Sequence, residues 1–158
     1  MLTGTSLAAI RLLVFLSQCD PKTPISPRKV AEAIDESPTY LAKVANILTK
    51  AGILRSHRGV TGGMTLALDP ADVTLLEVYE ACQGKFLGDF CQEVPHDFPV
   101  CAFHHAMKEL HVAVSRVLAR WTLEHLRQKP FSAEAVDSII PCRLAVIRNA
   151  QTAMSEKE

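Results

Sequence analysis

Five cysteines, Cys19, Cys82, Cys91, Cys101 and Cys142, are the residues of this 158-residue chain best suited to redox or metal chemistry. They are too few and too scattered for a disulfide scaffold, and a chain of this length buries an adequate core without such staples. In a reducing compartment a cysteine is a small core residue, a metal ligand or a redox sensor. Catalytic groupings are poorly represented by comparison. The sequence has no Cys-x-x-Cys, no Ser/His/Asp grouping, and no glycine-rich loop leading into a helix. It reads as a binding protein and not as an enzyme.

A second set of residues suits nucleic acid. Thr39, Lys43, Asn46 and Lys50 recur at intervals of four, three and four, so on a helix they form one polar stripe. All three residue types reach base edges or phosphates from a helix in a major groove. A merely solvated helix face has the same pattern. What separates the two readings is the glycine-rich hairpin segment just downstream, at whose foot Arg58, beside His57 and Arg55, is well placed to meet a minor groove or a phosphate. The formal net charge of zero hides an uneven distribution. Residues 1–68 carry eight Lys or Arg against four Asp or Glu, residues 69–103 one against seven, and residues 104–158 eight against six. The basic surplus lies with the candidate DNA-facing residues.

These residues need short helices to position them. At 48% hydrophobic and 22% charged, the chain has enough apolar content to fold. Residues 5–18 place Leu7, Ile10, Leu13, Val14 and Leu16 on one broad apolar face. Arg11 interrupts that run and no basic segment precedes it, so a first helix of a cytoplasmic protein is expected, without signal peptide or membrane association. Ser26-Pro27 and Ser37-Pro38 each supply a helix cap and a first-turn proline. The helices they open carry Val30 and Ile34, then Leu41, Val44, Ile47 and Leu48, inward, and the second stops at Gly52. Residues 53–57 and 64–68 read as two strands of a hairpin, which directly after a helix-turn-helix is a wing. Thr74-Leu-Leu-Glu77 is a capping box that opens a helix with Leu75, Val78, Tyr79 and Cys82 on one face. Residues 84–100 read as a loop. Beyond it Phe103, Met107, Leu110, Val114, Val117 and Trp121 alternate at four and three, the seam of a helix that packs along another helix. A second copy of the chain is the natural partner, making this a dimerisation helix. A last helix is expected over 132–153, opened by Ser132. The fold class is therefore mainly α, a winged helix-turn-helix with a small β-hairpin wing and a long C-terminal dimerisation helix.

Three segments, Tyr40-Leu41 through Lys50-Ala51-Gly52, Arg58-Gly59 through Gly62-Gly63, and Thr74-Leu-Leu-Glu-Val78 through Gly84, together resemble the Rrf2 family of winged-helix regulators. The resemblance covers about residues 1–128. It implies a homodimeric bacterial transcription factor, a repressor in the simplest case, bound to double-stranded DNA at a pseudo-palindromic operator. It also implies that Ser37, Thr39 and Lys43 meet the major groove and Arg58 the minor groove. Ser26, Arg28, Asn46, Lys50 and Arg55 are further candidates for DNA contact. Ala42 stands where some relatives carry an acidic residue that tunes sequence choice. The competing reading is a winged helix used for protein–protein contact.

The resemblance also gives the cysteines a context. Cluster-binding relatives carry three cysteines before the dimerisation helix; here Cys91 and Cys101 stand at the first and third places with no cysteine between them. His104 has the spacing from Cys101 of the fourth ligand in some relatives, and His96 or Asp97 are the groups available for the missing place. Iron–sulfur clusters favour thiolates, so the pattern is incomplete and the cofactor is left open. Cys91 and Cys101 admit three readings: a reversible thiol switch, a cluster or metal site, or no sensing role. Cys82, on the apolar face of its helix, reads as a small core residue. The implied organisation is a DNA-binding region over 1–84, a sensor loop over 85–101, and a dimerisation helix with a tail helix over 102–158.

Overall fold

The computed structural model describes residues 2–59, 62–85 and 101–127. Along them run α1 (Gly4–Ser17), α2 (Pro27–Ile34), α3 (Pro38–Lys50), β1 (Leu54–His57), β2 (Gly63–Leu66), α4 (Leu75–Gln83), α5 (Ala102–Arg120) and α6 (Leu123–Arg127). The helix expected over 132–153 and nearly all of the 84–100 loop lie outside the described residues.

Most of the helices start on a side chain that caps exposed backbone donors. The Ser26 hydroxyl accepts the Lys29 amide at 3.3 Å and Ser37 that of Tyr40 at 3.5 Å, each with proline in the first turn. Thr74 accepts the Glu77 amide at 3.2 Å, and Glu77 Oε2 accepts the Thr74 amide at 2.7 Å, completing the expected capping box. Helix ends are equally local. Past Ala51, Gly52 takes φ +76°, and the Gly52 and Ile53 amides donate to Thr49 and Leu48 carbonyls, a left-handed exit that favours glycine. The turn between α2 and α3 uses Asp35 at φ 54° in the same way, a conformation that aspartate tolerates better than most residues.

The core gathers around α1. Leu12, Leu13 and Phe15 are almost wholly buried, and α1 touches α2, α3, α4, α6 and β2. Burying each such side chain contributes roughly 1.5–3 kcal/mol. The expected amphipathic α1 needs correction. Its second half is enclosed on all sides, whereas Leu7, expected inside, is 47% exposed.

β1 and β2 pair antiparallel with Leu54 opposite Leu66 and His57 opposite Gly63. On its other edge β2 meets Ile25, whose amide and carbonyl exchange hydrogen bonds with Met64 at 3.1 and 2.9 Å. That approach requires Gly63, since a Cβ there would lie 2.6 Å from the Ile25 carbonyl. The wing is thereby tied to the segment that leads into α2.

α5 has no buried residue and ends at Trp121 in extended backbone. The chain then returns to the body. Thr122 bridges Thr74, with the Leu75 amide donating to Trp121 O at 2.8 Å and the Leu123 amide to Val73 O at 3.0 Å. α6 buries Leu123 completely, and Arg127 Nη1 donates to the Ser17 carbonyl at 3.2 Å. Gly63→Ala is expected to destabilise the fold by about 1–3 kcal/mol, the cost of forcing atoms into a filled space. Urea denaturation followed by circular dichroism measures it.

Candidate nucleic-acid interface

α3 divides cleanly between core and solvent. Leu41, Val44, Ala45 and Leu48 are buried, while Thr39, Lys43, Asn46 and Lys50 are all exposed. Ile47, expected inward, is only partly buried. The inward residues fix the rotation of the helix, and that rotation decides which polar side chains face outward. The first turn of α3 is also held to α1, through the Tyr40 hydroxyl donating to Thr5 Oγ1 at 3.3 Å.

Ser37 and Ser26 both sit at helix starts, where their oxygens already accept cap hydrogen bonds. Their hydroxyl hydrogens are the part suited to a phosphate oxygen. Arg28 is well exposed and pairs with Glu32 at 3.3 Å, a surface ion pair of little energetic weight that a phosphate competes with readily.

In the wing, Arg55 lies in β1 opposite Thr65, and Arg58 follows directly after the strand; both are exposed. His57 Nε2 lies 3.0 Å from the buried Thr65 hydroxyl, which pins the base of the wing across the two strands. The tip, residues 60–61, lies outside the described residues.

The candidate sensor is described only in part, because Cys91 falls outside the described residues. Cys101 is exposed and caps α5, its sulfur accepting the His104 amide at 3.4 Å. The remaining described cysteines differ in chemistry. Burial pushes the Cys19 thiol up to about 11, and it donates to the Phe15 carbonyl. Burial also raises Cys82, partly opposed by the Ser6 hydroxyl. Among the described residues no group of three or more His, Cys, Asp or Glu is placed to hold a metal ion. Cys101 with His104 is too small a donor set for an iron–sulfur cluster, which favours several thiolates.

Along α5, Phe103, Leu110 and Val117 are exposed, and Met107, Val114 and Trp121 are partly buried. Trp121 sits at the C-cap and packs edge-on to His125, with ring centroids 5.6 Å apart.

One residue pair of evident consequence was not visible as a motif. Arg11, on α1, donates to Glu36 at 2.8 Å and to the Ile34 carbonyl, so it grips the turn between α2 and α3. The one local trace is a charge inside an apolar helix.

A helix-turn-helix with an outward polar stripe, followed by a basic hairpin, defines a winged-helix DNA-binding protein. The family described as "Rrf2: Iron-dependent Transcriptional regulator" matches residues 2–129, and the chain belongs to that family. It is 30% identical over 129 residues to the HTH-type transcriptional regulator NsrR of Bacillus subtilis, covering 79% of this chain and 88% of that one. To the putative HTH-type transcriptional regulator YwgB of the same organism it is 28% identical over 125 residues, covering 77% and 80%. The solved structure of CymR, the global cysteine regulator of B. subtilis, superposes with a TM-score of 0.67 at 24% identity, over 83% of this chain and 98% of that one. The protein is therefore a DNA-binding transcriptional regulator of the Rrf2 family and not an enzyme.

The thiol environments predict an order of reactivity. A raised thiol holds its proton in the fold, so stabilisation from this source is complete below the ordinary thiol range and fades as pH rises towards about 11 for Cys19. In a Cys91→Ser, Cys142→Ser background at pH 8, iodoacetamide is expected to modify Cys101 well before Cys19 or Cys82. Peptide mass mapping over time checks this, and equal rates would contradict it.

Proposed function

We propose that the chain is a homodimeric repressor that reads a pseudo-palindromic operator in the cytoplasm, with α3 in the major groove and Arg58 in the minor groove. The observation that carries this reading is the outward face of α3, where Thr39, Lys43, Asn46 and Lys50 stand exposed on a helix followed at once by the exposed Arg55 and Arg58. Arginine and lysine supply phosphate neutralisation, and the shorter polar side chains supply base contacts. Ser26, Ser37 and Arg28 flank the reading helix and act on the backbone.

Dimerisation is supported by the exposed stripe on α5. Phe103, Leu110 and Val117, spaced by seven, are 59%, 45% and 50% exposed on a 19-residue helix with nothing buried. A helix with such a seam buries it against an equivalent helix, and a two-fold axis matches a two-fold operator. Among the described residues, no helix is long and apolar enough to cross a membrane.

Cys91 and Cys101 are the proposed sensor residues, with His104 beside Cys101. Cys101 caps the first turn of the dimerisation helix, so modification of its sulfur changes a helix end next to the dimer seam. Serine replaces that cap without loss, so Cys101→Ser isolates the chemistry of the thiol from its structural role.

Three outcomes test these assignments, using a duplex selected from a random library by the wild-type protein. Arg58→Ala is expected to weaken binding by about 1–3 kcal/mol in a gel-shift titration, and unchanged affinity would remove the wing from the interface. Leu110→Glu with Val117→Glu is expected to turn a dimer into a monomer in sedimentation velocity and to abolish tight binding. Cys91→Ser with Cys101→Ser is expected to remove any difference in DNA binding between oxidised and reduced protein. If the difference persists, the thiols are not the sensor.

A further inference from the structure

Arg11 is unusual in kind and in place. It sits on α1, between residues that are buried, with its side chain 12% exposed. One guanidinium nitrogen donates to Glu36 and the other to the Ile34 carbonyl, across 25 and 23 residues of sequence. Ile34 is the last residue of α2, Asp35 is the left-handed turn residue, and Ser37 caps α3. A single planar group therefore holds both sides of the helix-turn-helix turn.

The cost of this arrangement argues against stability as its purpose. Burying an arginine requires full compensation, and a largely buried ion pair is often no better for stability than apolar residues of like volume. Arg11 Nε, moreover, is buried with no hydrogen-bond partner among the described residues. What the fork does supply is geometry. A guanidinium meets two acceptors in fixed directions, and here the acceptors are the end of one helix and the approach to the next. The positive charge at the C-terminal end of α2 is also favourably placed against the helix dipole.

We propose that Arg11 is a positioning residue for DNA recognition: by clamping Ile34 and Glu36 it sets the angle between α2 and α3, and so the register of Thr39, Lys43 and Asn46 on the bases. It touches no DNA itself. Contacts to phosphate tolerate small rotations of α3, since they are numerous and rest on flexible side chains, whereas base-edge contacts do not. Loss of the clamp therefore lowers specific binding and leaves non-specific binding almost intact.

The experiment compares the full-length wild-type protein, the double variant Arg11→Met with Glu36→Met, and the single variant Arg11→Lys. Each is titrated against the library-selected duplex and against a scrambled duplex of equal length, and each is melted by circular dichroism. For the double variant the expected result is a folded protein whose affinity for the scrambled duplex stays within about twofold of wild type. Its affinity for the selected duplex should fall by about tenfold or more, within the range that separates specific from non-specific binding. Arg11→Lys, which keeps the charge but not the fork, is expected to lose about threefold or more of the specificity ratio. A folded double variant with the wild-type ratio overturns the proposal, as does a parallel loss of affinity for both duplexes. Should the double variant not fold, Arg11→Lys decides alone: a wild-type ratio overturns the proposal and a reduced ratio sustains it.

Discussion

The burial of α1 is the constraint on which the described structure rests. A helix that is apolar nearly all round has to be covered from every side, and α2, α3, α4, α6 and β2 each take a share. The few polar groups on α1 are not left idle in that environment. Thr5 accepts from Tyr40 of α3, Ser6 accepts from Gln83 Nε2 of α4 at 2.7 Å, Arg11 grips the α2–α3 turn, and the Ser17 carbonyl accepts from Arg127 of α6. Apolar burial holds the elements against α1, and these directional bonds fix where along it each one sits.

The proposed DNA-reading surface is a consequence of that packing. α3 presents Thr39, Lys43, Asn46 and Lys50 outward because Leu41, Val44 and Leu48 are committed inward. The wing stands beside the start of α2 because Met64 pairs with Ile25, and only glycine at position 63 permits the approach. The neutral total charge of the chain is compatible with DNA binding on these terms, since the acids are concentrated after residue 68, away in sequence from the recognition helix and wing.

How much of this was legible in the sequence follows the range of the interactions involved. The starts of α2, α3 and α4 were readable because Ser26-Pro27, Ser37-Pro38 and Thr74–Glu77 act within one turn. The polar stripe of α3 and the seam of α5 were readable because helical periodicity repeats them several times. The single-pair bridges Ile25–Met64 and Thr74–Thr122 have no periodicity and join residues 39 and 48 positions apart, so nothing local announces them. The exposure of Leu7 escaped for a related reason, since an apolar residue at a helical interval shows that a face exists but not how far its cover extends. The Arg11 clamp was visible only as an oddity, a charge where the pattern asked for an apolar residue. Of the candidate site, the residues that face solvent were legible and the residue that orients them was not.

The return of α6 to α1 has a consequence in time. The bond from Arg127 to the Ser17 carbonyl closes over 110 residues, and Leu123, one of the buried residues around α1, arrives only after the whole of α5 has been made. At a synthesis rate of about 5–20 residues per second, α1 waits roughly 5–20 s for the last of its covering elements among the described residues. During that interval part of its apolar surface faces water or whatever binds it in the cell. A nascent chain that stops between the wing and α6 would carry α3 and the wing on an incompletely covered core, so the surface proposed to read DNA is made well before the core beneath it is closed.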